Sequence, residues 1–346
     1  MLYSRIIKPL IFRLSAEGAH LLILRLLGIV RRIPLAGSIV RWRYSYKPRK
    51  SQNVNLFGID FPNPVGLAAG LDSNAEYADE LGWFGFSFVE VGSITPQPQS
   101  GNPRPRMFSL RSDKALVNRI GMDNKGVLNA IEHLKKRNPK TIVSANIAKN
   151  HTSMSDAEIQ NDYMRAFSLL YDFVDMFTIN ISFNDATEGL QNLQEADFLS
   201  EIIDPLLDIR ICNETYKPIL VKISPDIPDD ELDDILRYCM MSGIDGIVAC
   251  NSTTSREGLT ASQERLEKIG EGNVSGAPLF QRSLAKVKHI NEFTKGHLPI
   301  IGVGGIMTPE QAKEMLDAGA SLIELMTGLI YEGPTLVRKI LKHLDS

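Results

Sequence analysis

Beyond residue 56 the chain alternates short apolar runs with longer stretches of helical spacing. Eight runs, at residues 64–68, 86–91, 141–145, 177–179, 219–221, 246–249, 300–303 and 322–325, hold little polar content and suit strands buried on both faces. Amphipathic stretches at 74–81, 124–137, 156–171, 197–214, 229–242 and 283–294 predict helices between them. The clearest unit is 299–328. There Gly304 and Gly305 end an apolar run, and Thr308-Pro309-Glu310 opens a helix with a cap and a first-turn proline. Ala312, Met315 and Leu316 continue that helix to Gly319, and a second apolar run leads into Met326-Thr327-Gly328. Eight such units imply a closed (β/α)8 TIM barrel with an N-terminal helical extension. An open doubly wound sheet competes with this reading, but it carries a nucleotide loop after its first strand. Here that place holds Ala69-Gly70-Leu71-Asp72.

Residues 1–46 follow a different pattern. Leu10, Ile11, Leu14, Ala19, Leu21 and Leu22 alternate with Arg13, Glu17 and His20 at roughly helical spacing. The run 21–30 is apolar apart from Arg25, too short and too interrupted to span a bilayer, and no small-residue cleavage site follows it. Charge changes the picture here. The whole chain is formally −3, yet residues 1–50 hold eleven Lys and Arg against the single acid Glu17. Basic residues beside apolar faces suit helices lying on an anionic membrane surface, and a helical lid packed on the following domain is the alternative. Residues 48–55 read as a linker, so the expected division is an arm at 1–46 and a barrel domain at 47–346.

The rest of the composition mainly excludes. Three cysteines, Cys212, Cys239 and Cys250, have no metal-ligand spacing, and an odd count argues against a disulfide framework. Neither a metal site nor a serine-hydrolase elbow is expected, and no nucleic-acid partner. The positive chemistry lies at the strand ends. In order these are Ala69-Gly70, Ser93, Asn146, Asn180, Lys222, Asn251, Gly304-Gly305 and Thr327. Asparagine amides offer donors and acceptors suited to a heterocycle edge, and buried together without a ligand they would be left unpaired. Bare glycine amides at 276, 304 and 305 suit a phosphate, although a plain β-α turn also needs glycine. Lys222 would offset charge developing on a flavin ring, or pair with Asp226.

These motifs resemble the FMN-dependent dihydroorotate dehydrogenases of the membrane-associated, quinone-linked class. The resemblance runs through Ser15-Ala16-Glu17-Gly18-Ala19-His20, residues 63–72, Gly92-Ser93-Ile94-Thr95-Pro96, Gly101-Asn102-Pro103-Arg104-Pro105-Arg106, Asn118-Arg119, Asn146-Ile147-Ala148-Lys149-Asn150 and residues 221–226. It implies an FMN whose phosphate meets Gly276, Gly305, Met326 and Thr327. The flavin ring would meet Ala69, Gly70, Ser93, Asn146, Asn180, Lys222 and Cys250. It also implies that Asn118, Asn180, Asn251 and Ser252 hold the substrate, joined by Asn184 when the loop is slid by one residue, and that His20 and Arg106 stand near a quinone route through the arm. The implied reaction removes a proton from C5 and a hydride from C6 of dihydroorotate. The implied location is the cytoplasmic face of the inner membrane, as a peripheral protein.

Three departures stand out. Ser73 replaces a lysine, Gly121-Met122-Asp123 replaces Gly-Phe-Asn, and the catalytic loop, Asn180-Ile181-Ser182-Phe183-Asn184-Asp185-Ala186-Thr187-Glu188-Gly189, is one residue longer than the family pattern. Direct alignment puts Phe183 at the base position, while a one-residue slide gives Ser182 that role. Two rival readings follow: an FMN-binding paralogue with a different substrate, and a membrane flavoprotein without dihydroorotate turnover. A non-flavin, phosphate-binding barrel enzyme is the more remote third.

Overall fold

The computed structural model describes residues 3–49, 51–182 and 195–346. The strands are β1 Val54–Leu56, β2 Ile59–Phe61, β3 Val65–Leu67, β4 Phe88–Ile94, β5 Met107–Leu110, β6 Ala115–Asn118, β7 Ile142–Ile147, β8 Met176–Asn180, β9 Ile219–Ile223, β10 Gly246–Ala249, β11 Asn273–Gly276, β12 Ile300–Val303 and β13 Leu322–Leu325. Strands β3, β4, β7, β8, β9, β10, β12 and β13 close into a parallel barrel, in that order around it. These are the eight runs marked by the sequence.

Successive side chains alternate across each strand, which divides the core in two. Phe88, Met176, Leu220, Val248, Ile301 and Leu322 fill the barrel interior. Val89, Val91, Val143, Ala145, Ile179 and Val221 face the helical layer, where they join Ala166, Ile202, Leu206 and Ile235 in one cluster.

The stretch expected as a linker is partly structured. β1 and β2 pair as an antiparallel hairpin across Phe57 and Gly58, both with positive φ, the backbone that a two-residue hairpin turn of this hand requires. Val54, Leu56, Phe57, Ile59 and Phe61 pack onto the interior cluster, and the Phe61 ring meets Phe88 edge-on at 5.3 Å. The hairpin therefore plugs one end of the barrel, a demand that exists only once the barrel closes. A second addition is the antiparallel sheet β5-β6-β11, which the sequence pattern did not predict. The helix expected at 74–81 shortens to Ala78–Gly82, because the Asp72 carboxylate takes the N–H groups of Glu76 and Tyr77 at 2.9 and 2.7 Å and fixes a turn there.

In the arm, helices Ala16–Val30 and Ala36–Tyr44 are separated at Leu35, whose φ is +65°. Ser15 caps the first by accepting from the Gly18 N–H. The arm is tied to the barrel domain by His20, whose ring nitrogen lies 2.7 Å from the Leu71 carbonyl, and by Glu17, which pairs with Arg106 at 2.9 Å. Asp123, the acid that departs from the family pattern, is a second partner of Arg106.

Candidate active site

Three ionisable side chains meet inside the barrel. Glu90 on β4, Lys222 on β9 and Glu324 on β13 are each at most 4% exposed. Lys222 Nζ donates to Glu90 Oε2 at 2.9 Å, and the Ala69 N–H donates to the same oxygen at 2.9 Å. Asn146 Nδ2 donates to Glu90 Oε1 at 2.8 Å. Burial pushes the Glu90 carboxyl up, but Lys222 and these donors outweigh it, so Glu90 ionises more readily than an ordinary glutamate. Burial also opposes the Lys222 charge, and the Glu90 carboxylate beside it outweighs that. Glu324 is pushed far up, by burial first and then by Glu90. Two touching carboxyls cannot both ionise, so Glu324 is the neutral member. Lys222 is thus half of a buried ion pair. Asp226, the sequence's other candidate partner, is engaged by Thr253, Thr254 and Arg282. The sequence reading overlooked both glutamates, although an acid inside a run buried on both faces was the available signal.

From Glu90 a line of amides and hydroxyls crosses the mouth. Ser93 Oγ donates to Asn146 Oδ1 at 2.5 Å, and Asn180 Nδ2 donates to Ser93 Oγ at 3.1 Å. Ser182 Oγ donates to Asn180 Oδ1 at 2.6 Å, and Asn251 Nδ2 donates to Ser182 Oγ at 2.8 Å. Tyr163 fixes the strand end by donating to the Asn180 carbonyl at 2.6 Å, and the Ser252 N–H caps Asn251 Oδ1 at 2.8 Å. This corrects the expectation that the asparagines would be unpaired without a ligand: they satisfy one another and are held in fixed orientation. Ser182 is buried, and its hydroxyl partners among the described residues are two neutral amides. A hydroxyl has two lone pairs, so one remains available to accept.

In front of this line lies a cavity. It brings together Ala69, Gly70, Asn118, Lys222, Cys250, Asn251, Ser252, Gly276, Gly305, Met326 and Thr327, along with Gly304, Ser275 and Glu324. Ser93, Asn146, Asn180 and Ser182 connect to it through the hydrogen bonds above. Asn184 and Phe183 lie outside the described residues. Gly276, Gly304 and Gly305 have φ of +110°, +122° and +73°, and a Cβ on Gly305 would stand 2.4 Å from the Phe280 nitrogen. Only glycine fits there, and its bare backbone faces the cavity. Helices Phe280–Thr294 and Thr327–Glu332 begin beside these glycines without a side-chain cap, and the Thr327 hydroxyl lies 2.9 Å from Ser275 Oγ. Amides at a glycine turn suit an oxyanion. Burial pushes the Cys250 thiol up to about 12, which leaves it a neutral contact rather than a nucleophile. Among the described residues no group of side chains could hold a metal ion.

Fold and site together define a (β/α)8-barrel enzyme with an oxyanion cradle, a line of oriented amides and a buried cation at the strand ends. Residues 51–346 match the dihydroorotate dehydrogenase family. Over 358 residues the chain is 42% identical to the dihydroorotate dehydrogenase (quinone) of Coxiella burnetii (strain Dugway 5J108-111), covering 99% of this chain and 97% of that one. It is 40% identical to the protein of the same name from Idiomarina loihiensis, covering 98% and 99%. A solved structure of Eimeria tenella DHODH in complex with ferulenol superposes with a TM-score of 0.83 at 30% identity, covering 97% of this chain and 93% of that chain. The chain belongs to the dihydroorotate dehydrogenase family.

Proposed function

We propose that this protein oxidises (S)-dihydroorotate to orotate with FMN as its cofactor, and that it passes the electrons to a quinone at a membrane surface. The observation that carries the reading is the convergence of the glycine cradle, the Lys222–Glu90 pair and the amide line on one cavity. The residues present fit FMN. Gly276, Gly305, Met326 and Thr327 offer backbone N–H groups to a phosphate, while Ala69, Gly70, Lys222 and Cys250 line the remainder. When bound, FMN supplies the hydride acceptor that the oxidation requires.

The chain's own residues orient the substrate and handle the proton. Asn118, Asn251 and Ser252 share the cavity and present polar groups to an acidic heterocycle. Asn180 and Asn251 hold the Ser182 hydroxyl from two sides, so its free lone pair has a fixed direction. We assign Ser182 as the group that takes the substrate's C5 proton, its own hydroxyl proton passing on to solvent in the same step.

The arm supplies the membrane contact. Leu26, Ile29, Ile33, Leu35, Ile39 and Trp42 are each 49–80% exposed, beside Arg31, Arg32, Arg41 and Arg43. Among the described residues no helix is long and apolar enough to cross a membrane. Binding in the plane of the interface, on the cytoplasmic face of the inner membrane, fits this combination.

The test is anaerobic single-turnover mixing of purified holoprotein with dihydroorotate, followed by flavin absorbance. The flavin should bleach, and Ser182→Ala should slow bleaching roughly 10²–10⁴-fold without changing FMN content. A protein that purifies without FMN and takes up none refutes the cofactor. A yellow protein that dihydroorotate does not bleach refutes the substrate and favours the paralogue reading. Brisk bleaching unaffected by Ser182→Ala refutes the assignment of the proton.

A further inference from the structure

The carboxyl of Glu324 has no role in the proposed oxidation, and its surroundings assign it one. It points from β13 into the cavity, it is 2% exposed, and its Oε2 is buried without a hydrogen-bond partner. The titratable groups facing it are Glu90 from β4 and Lys222 from β9, with the Cys250 thiol from the end of β10 beside Lys222. Both oxygens of Glu90 already accept from Lys222, the Ala69 N–H and Asn146. Glu324 lies within hydrogen-bonding reach of Glu90. Two carboxyls can share such a bond only if one carries a proton, and the one without a cation is Glu324.

We propose that Glu324 is held as the neutral acid, donating to Glu90 through one carboxyl oxygen and presenting the other to the cavity as an acceptor for an N–H or O–H donor of the bound ligand. This rests on the flavin reading of the cavity, since a flavin and its ribityl chain carry donors of both kinds. It adds a ligand-binding residue on a strand whose other cavity contacts are apolar or backbone. The proton also sets the charge of the floor. Lys222 and Glu90 cancel, so a neutral Glu324 leaves the floor uncharged, and an ionised one puts a net negative charge beneath a phosphate-bearing ligand. A nearly buried carboxyl oxygen left unpaired is costly, which is the physical reason for expecting a ligand donor at the oxygen that faces the cavity.

Two measurements on the full-length protein test this. The first is release of FMN from diluted holoprotein, followed by recovery of free-FMN fluorescence between pH 5.5 and 8.5. Wild type should hold FMN more weakly as pH rises and Glu324 ionises, while Glu324→Gln, which cannot ionise, should show no such slope. Glu324→Leu, which lacks the acceptor, should bind FMN roughly threefold to tenfold more weakly than Glu324→Gln throughout, the loss expected of one neutral hydrogen bond. A Gln variant that keeps the wild-type slope overturns the proton, and a Leu variant that binds as tightly as Gln overturns the acceptor. The second measurement needs no FMN. A carboxyl raised in the folded state binds its proton more tightly than in the unfolded chain, so stability falls as pH rises above the ordinary carboxylate range. The urea midpoint should show that fall in wild type and lose it in Glu324→Gln; equal profiles overturn the proton. A wild type that takes up no FMN at all refutes the flavin reading and with it the acceptor, and the urea profiles still decide the proton.

Discussion

Replacing Lys222 with methionine isolates the ion pair at the barrel floor. The substitution keeps most of the side chain's length and apolar stem and removes the charge. Glu90, 1% exposed, then keeps the neutral donors Ala69 N–H and Asn146, with the Glu324 carboxyl beside it, and no cation. Breaking a buried pair by removing one partner costs about 3–5 kcal/mol, a large share of the roughly 5–15 kcal/mol that holds a folded domain together. The pH dependence gives the sharper test. In wild type the Glu90 pKa lies below its ordinary value, so its stabilising contribution is present above the unfolded pKa and is lost as pH falls through the folded one. Without Lys222, burial is no longer outweighed and the folded pKa rises above the unfolded one. Stability is then lost as pH rises between those two pKa values, at about 1.4 kcal/mol per pH unit. Urea midpoints followed by tryptophan fluorescence at pH 5 and pH 8 should therefore show a greater loss at pH 8. The double variant Lys222→Met with Glu90→Gln should recover much of that loss, because no unpaired charge remains. A single variant equally destabilised at both pH values, or a double variant no better than the single, would refute the argument.

Other parts of the molecule offer independent checks. Gly305→Ala places a Cβ against the Phe280 backbone at a left-handed position, so it should cost about 2–4 kcal/mol and lower FMN content, read by urea titration and by the ratio of flavin to protein absorbance. Phe61→Ala empties the plug under the barrel and should cost about 3–5 kcal/mol without changing the rate of flavin reduction. Leu35→Ser with Trp42→Ser should weaken cosedimentation with anionic vesicles, and raising salt should weaken it in wild type; a full-length chain that ignores such vesicles at low salt would rule out the membrane role. Arg106→Ala removes the buried partner of Glu17, leaving it only the exposed Arg104, and should make the arm more sensitive to limited proteolysis than the barrel.

All eight barrel strands were legible in the sequence because a strand buried on both faces is written as a short continuous apolar run. Their order and closure follow from right-handed β-α connections. The glycines at 276, 304 and 305 were legible too, since positive φ and close backbone approach leave few other residues possible. What stayed hidden depends on neighbours far apart in the chain. The hairpin Val54–Phe61 has little pattern of its own and is structured because a closed barrel needs an apolar plug. Lys222 was open to a flavin ring or to Asp226 in the sequence, until β4 brought Glu90 to it from 132 positions away. The asparagines looked like a set awaiting a ligand until Ser93 and Ser182 were found between them, pairing each amide with the next. Local sequence determines which residues face the interior and which backbones can bend. Which charges cancel, which amides are satisfied and which oxygen of Glu324 is left over are properties of distance between strands, and only the closed barrel sets those distances.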